Sequence, residues 1–179
     1  MSAGLQDTQV ENIARLRHLA SVDGMAGDYR TLGLLVDWLD IHLDRINADR
    51  LVKLVKARSD ERVRAFWRAI AQWKKKDIRL KRLLHRYRGD RIELLPEGSA
   101  FLTKRHGEDL RFKKSCLLVP AGTLRHRPAD ILVPEELVKH HLDYRYRVQI
   151  GPSYRADMWS LLEREAIALK RNDLKVCRV

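Results

Sequence analysis

The sequence predicts an α+β protein, predominantly helical, in which an N-terminal bundle of about four helices is followed by a small antiparallel sheet with two helices. Three observations carry this expectation. Apolar residues recur at helical spacing from Val10 to Tyr87, the spacing changes toward alternation after Gly89, and no stretch rich in Gly, Ser or Pro separates the two regimes. The natural division is residues 1–89 and 90–179, as two small domains or as one continuous compact unit. A chain of 179 residues is long enough for a sizeable core without cross-links.

The elements follow in order. Thr8 with Glu11 three residues later forms a capping-box pattern, and Val10, Ile13, Leu16, Leu19 and Ala20 share roughly one face. Ser21 to Gly27, with two glycines and an aspartate, reads as a loop. Asp28 is placed to cap a second helix with the stripe Tyr29, Leu32, Leu35, Val36, Leu39, Leu43 and Ile46, leaving Asp37, Asp40 and Asp44 largely off it. Asn47 is placed to cap a third, with Leu51, Val52, Leu54 and Val55.

A fourth helix opens at Ser59, with Asp60 and Glu61 at the positive end of its dipole and Gly89 just past its end. Unbroken, it spans about 45 Å at roughly 1.5 Å per residue. A break near Lys76–Asp77 leaves the same two faces on two shorter helices. One face is the apolar stripe Val63, Phe66, Trp67, Ile70, Trp73, Leu80, Leu84 and Tyr87; Lys74, Lys75, Lys76, Arg79, Lys81, Arg82, Arg86 and Arg88 occupy much of the rest.

Beyond Gly89, Arg91 to Leu95 is strand-like, Leu110 to Val119 is a candidate long strand, and Ile131 to Val133 a short one. Pro134 sits at the first position of a helix reaching His141. Tyr144 to Ile150 alternates as a strand, with two Tyr on one side and Arg145 and Arg147 on the other. Gly151-Pro152 opens a helix carrying Met158, Leu161, Leu162 and Leu169, and Leu174 to Val179 forms a last edge strand or tail.

Charge is the strongest functional signal. The formal net charge is +12, yet Met1 to Ala57 holds seven Lys/Arg against eight Asp/Glu. Arg62 to Arg91 holds twelve basic residues, with only Asp77 and Asp90 as acids. Such asymmetry points to a polyanionic partner, and nucleic acid is the leading class. A solvated face that merely aids solubility is the competing account. With acids nearly absent from that stretch, Glu–Lys pairs one helical turn apart cannot relieve its self-repulsion, which favours an anionic ligand.

Other candidates extend the basic set. Lys104, Arg105, Arg125, Arg127, Arg145 and Arg147 are phosphate-contact candidates beside the eight on the fourth helix. Phe66, Trp67 and Trp73 have the chemistry to stack on bases, but their spacing assigns them to a core. Tyr144 and Tyr146, alternating with arginines, suit RNA or single-stranded DNA, although Tyr inward and Arg outward is the simpler arrangement.

His106, His126, His140 and His141 fall close together in sequence. With Glu108 or Asp109 and a neighbouring arginine they hold the inventory for acid–base cleavage of a phosphodiester, His106, His126 and His141 being the weak catalytic candidates. Surface loops and a helix C-terminus, which favours cations, explain the same residues without catalysis. A zinc site of Cys116, His126 and His140 matches no familiar spacing, and no metal or cofactor is expected. Gly151 to Arg155 has the makings of a phosphate-holding helix start.

Cys116 and Cys177 form no disulfide framework and are expected reduced. Phosphate-loop, dinucleotide, serine-hydrolase and zincin motifs are missing, as are a secretory signal and an apolar run of the ~20 residues a membrane span requires. The chain is expected in the cytoplasm as a non-catalytic nucleic-acid-binding subunit of a nucleoprotein complex. Its basic helix and Arg/Lys/His loops would grip RNA or DNA, and its near-neutral helical part would contact other protein subunits. A small metal-independent ribonuclease or toxin-like enzyme is the first alternative, and a scaffold for an acidic protein the second.

Overall fold

Leu32, Leu35, Val36 and Leu39 from one helix and Val63, Phe66, Trp67 and Ile70 from another are buried in a single apolar core. The computed structural model describes residues 13–57 and 60–176. The Thr8/Glu11 capping box, Val10, Ser59 and Cys177 lie outside them. The first four helices are α1 (Ile13–Ala26), α2 (Tyr29–His42), α3 (Ala48–Ala57) and α4 (Glu61–Trp73), with α1 touching the other three and α3 touching α4.

Local chemistry sets their boundaries. The Asp28 carboxylate accepts the Thr31 N–H at 3.0 Å to start α2, Asn47 accepts the Arg50 N–H at 3.1 Å to start α3, and Asp60 accepts from Arg62 and Val63 to start α4. The loop expected at Ser21–Gly27 is helix through Ala26. Gly24 permits the crossing of α1 and α2, since a Cβ there would stand 2.8 Å from Leu32 Cβ. The Ser21 hydroxyl accepts the Trp67 indole N–H at 3.0 Å, so these small residues serve a close contact rather than a turn.

The long basic helix is broken. α4 ends at Trp73, and a 3₁₀ segment, Ile78–Leu83, continues after a turn. Asp77 caps that segment through the Arg79 N–H at 3.0 Å and grips the Arg79 guanidinium at 2.9 and 2.6 Å. The same guanidinium donates to the carbonyls of Asp44 and Leu43 at 3.1 and 3.2 Å, at the end of α2. Local capping and an anchor on a neighbouring element therefore win over helix continuation. Gly89 follows a turn and is no helix terminus. The apolar stripe survives the break, with Leu80 and Tyr87 buried in the same core.

Among the described residues the expected antiparallel sheet is not formed, and antiparallel pairing is limited to an isolated bridge between Glu108 and Pro120. Two two-residue strands, β1 (Ile92–Glu93) and β2 (Leu117–Leu118), pair in parallel. Most of Leu110–Val119 is turn, because Asp109 accepts the Arg111 N–H at 2.9 Å and Lys114 adopts a left-handed φ of 64°. Ile131–Val133 is not strand either; it leads from a 3₁₀ turn into α6 (Pro134–His140). A helix, α5 (Ser99–His106), stands between the two strands in sequence.

Tyr144–Ile150, expected as a strand, lies within α7 (Leu142–Ile150). Tyr144 and Arg147, three residues apart, both face inward, a helical repeat that alternation of Tyr and Arg disguises. The last helix, α8 (Tyr154–Val176), takes in Leu174–Val176, where an edge strand or tail was expected. Met158, Trp159 and Leu162 on it are exposed rather than buried. Phe112, Leu117, Val119, Leu124 and Tyr144 belong to the same buried cluster as the N-terminal helices.

Candidate functional site

Asp37 stands in the middle of α2 with its carboxylate 1% exposed. A buried carboxylate needs partners, and it has three. Its Oδ1 accepts from Arg111 Nη1 at 3.0 Å and from His126 Nδ1 at 2.7 Å, and its Oδ2 accepts the Arg127 backbone N–H at 2.5 Å. Arg111 is held in turn by Asp109 at 3.0 and 2.6 Å and donates to the Leu124 carbonyl at 2.7 Å. Opposed carboxylates hold the Arg111 guanidinium above its usual pKa despite burial.

These contacts fix the segment Leu124–Arg127 against α2. Gly33 adjoins the clamp: a Cβ there would lie 3.3 Å from the Arg125 carbonyl oxygen, a tight contact that the segment could accept only by shifting a few tenths of an ångström. Thr123, Arg125 and Arg127, with Tyr29, Arg30 and Leu34 of α2, line a recess of about 350 Å³. Leu124 and His126, again with Arg125, line a second groove of about 610 Å³ beside Trp73, Leu110 and Asp40. The result is a ridge, Arg125-His126-Arg127, between two depressions.

The side chains of the ridge point to solvent. His126 is 60% exposed, and its Nδ1–H, engaged by Asp37, leaves Nε2 as the outward nitrogen. Arg30 and Arg125 are exposed and have no acceptor among the described residues. Arg127 has an ion pair at 3.9 Å with Asp130, both half-exposed.

Other expected cations divide into two groups. Lys75, Lys76, Lys81 and Arg88 are exposed and have no acceptor among the described residues, and Lys104, Arg105 and His106 form the exposed last turn of α5. Lys74 instead pairs with Asp40 and lies over the Trp73 ring at 4.0 Å, Arg82 pairs with Asp49, and Arg79 is the anchor described above. Asp40 and Asp49 from the N-terminal part, together with Asp77 inside the basic stretch, therefore relieve part of its repulsion. Arg86 is partly buried.

α7 requires a sharper correction. Arg147 is wholly buried, pairs with Asp157 and donates to the Arg45 carbonyl at 3.4 Å, so it belongs to the interior and not to a surface. Arg145 pairs with Glu163 at 2.9 Å, and Tyr146 donates to the same carboxylate at 2.5 Å. Tyr144 donates its hydroxyl to His42 Nδ1 at 2.7 Å, while His42 Nε2 donates to the Leu132 carbonyl at 2.9 Å. Burial pushes Tyr144 up to about 12 and His42 below its ordinary value, so His42 is the neutral imidazole.

His106 ends α5 and His141 joins α6 to α7, and among the described residues neither shares a hydrogen bond with His126; Glu108 and Asp109 line the same groove as His126. Among the described residues no group of three or more His, Cys, Asp or Glu is disposed as metal ligands, and no helix is long and apolar enough to cross a membrane. Asp37, Arg30 and Arg111 were not candidates from sequence. The available signal was Asp37 itself, a lone carboxylate inside the apolar run Leu34 to Leu39.

No protein-family model matches the chain, and no curated protein or solved structure shows a significant likeness to it.

Proposed function

We propose that this protein binds nucleic acid through the phosphate backbone, without catalysis, as a cytoplasmic subunit or accessory of a nucleoprotein complex. The observation that carries the reading is the clamped ridge: a backbone fixed by buried Asp37, bearing the exposed cations Arg125 and Arg127. A guanidinium presents parallel donors that match phosphate oxygens, and fixing its backbone beforehand lowers the ordering cost of binding. Lys75, Lys76, Lys81, Arg88, Lys104 and Arg105 add charge that attracts any phosphate backbone without reading bases. The near-neutral N-terminal helices are the part of the chain suited to protein partners.

The test is binding of labelled single- and double-stranded DNA and RNA to the purified chain across about 50 to 300 mM salt. Affinity should fall linearly on logarithmic axes. Affinity that stays constant over that range overturns the reading. A stable complex with an acidic protein, and no nucleic acid copurifying at low salt, replaces it with the scaffold alternative.

A second reading, the metal-independent ribonuclease, draws on one contact. Asp37 orients His126 with Nε2 outward, as a general base is oriented. RNA cleavage in chelator that His126→Ala abolishes would favour it. RNA left intact by highly purified protein removes it.

A further inference from the structure

We infer that the recess beside the ridge is a phosphomonoester site, which on the nucleic-acid reading above receives the terminal phosphate of a strand. Three arginines line it: Arg30 from the first turn of α2, and Arg125 and Arg127 from the clamped segment. Thr123 lines the same space, with Tyr29 and Leu34 as its less polar wall. Thr123, Arg125 and Arg127 line this recess, while Leu124 and His126, again with Arg125, line the other groove.

The nearby acids balance this charge only in part. Asp28 caps α2 through the Thr31 N–H and also feels the charge of Arg30, and Asp37 lies buried beneath the segment with its oxygens already taken by Arg111, His126 and the Arg127 amide. Asp130 reaches Arg127 only at 3.9 Å.

Two physical arguments select a monoester over an internal phosphodiester. The first is charge: a diester carries one negative charge, whereas a monoester carries about −1.5 to −2 near neutral pH. Three guanidiniums around one recess suit the dianion. The second is shape. An internal phosphate has chain leaving on both sides and is well served by open-surface cations such as Lys75 and Lys76, whereas a recess suits a group attached on one side only. A free mononucleotide presents the same chemistry as a strand end.

The experiment compares short labelled oligonucleotides of one sequence carrying a 5′-phosphate, a 3′-phosphate or hydroxyls at both ends, with AMP and inorganic phosphate as competitors. It uses the full chain and the Arg30→Gln, Arg125→Gln and Lys75→Gln variants, whose replaced side chains are exposed. One phosphorylated end should bind roughly tenfold tighter than the hydroxyl form, as added charge-assisted bonds require. Arg30→Gln and Arg125→Gln should erase that preference, and Lys75→Gln should keep it.

Equal affinity for phosphorylated and hydroxyl ends overturns the inference, while salt-dependent binding of both leaves the nucleic-acid reading standing. Binding of AMP or phosphate that depends on Arg30 and Arg125, with no oligonucleotide bound, retains the recess as a small-molecule site and removes the nucleic-acid reading. No binding of any phosphate removes both.

Discussion

The carboxylate of Asp37 and the imidazole of His126 meet at 2.7 Å across 89 positions of sequence. Through this contact and its bonds to Arg111 and the Arg127 amide, one helix residue sets the conformation of a distant loop.

Asp37→Asn should therefore destabilise the fold and loosen the ridge together. Removing one charge from a buried pair costs about 3–5 kcal/mol when nothing else compensates. Arg111 retains Asp109, so a loss of roughly 2–3 kcal/mol is expected from urea unfolding. Asp40→Asn, at an exposed ion pair with Lys74, should stay within about 1 kcal/mol of the parent. A comparable loss in both variants would show that Asp37 has no special structural role.

Arg147→Met tests the burial of a cation that the sequence placed on a surface. Asp157 would keep Arg50 at 3.4 Å as a partner, and a loss of about 2–4 kcal/mol is expected. Oligonucleotide affinity, compared at a temperature where the variant is folded, should not change. Weaker binding by the folded variant would return Arg147 to the ligand surface.

Stability should also depend on the protonation of His42. Its folded pKa lies below the ordinary 6.5, chiefly because burial disfavours the charged ring. The unfolded chain therefore takes up the proton first as pH falls. The contribution is complete above about 6.5, declines below it, and is lost once pH passes down through the folded value. His42→Gln should flatten the stability profile in that window, measured as the difference between the two unfolding curves. Parallel curves would exclude His42 as the source.

The exposed cations without described partners should act through charge alone. Replacing Lys75, Lys76, Lys81 and Arg88 together by Gln should change stability little, each being a surface substitution worth about 0.5 kcal/mol or less. Each lost phosphate contact should reduce the slope of log affinity against log salt by about 0.7–0.9. An unchanged slope would mean that these side chains touch no phosphate.

Local chemistry was legible in the sequence, and remote pairing was not. Asp28 and Asn47 cap helices at the positions where they were expected, because a cap is decided within three residues. The α4 stripe is buried as its spacing required. Leu110–Val119 was misread because Asp109 and Lys114 turn the chain within an apolar run. Tyr144–Ile150 was misread because alternation assumed that arginine faces water, whereas Arg147 has Asp157 inside. The ridge was half legible: Arg125, His126 and Arg127 stood out by composition. Asp37 and Arg111, which hold it, are joined to it and to each other across gaps of up to 90 residues that no periodicity reports.

The close seating of Arg125 against Gly33 has a kinetic consequence. A binding loop that must first rearrange makes association slow and insensitive to electrostatic attraction. Here the backbone is already in place before an anion arrives, so capture should proceed at the speed of charge-steered encounter. Differences among ligands should then appear mainly in how long each one stays.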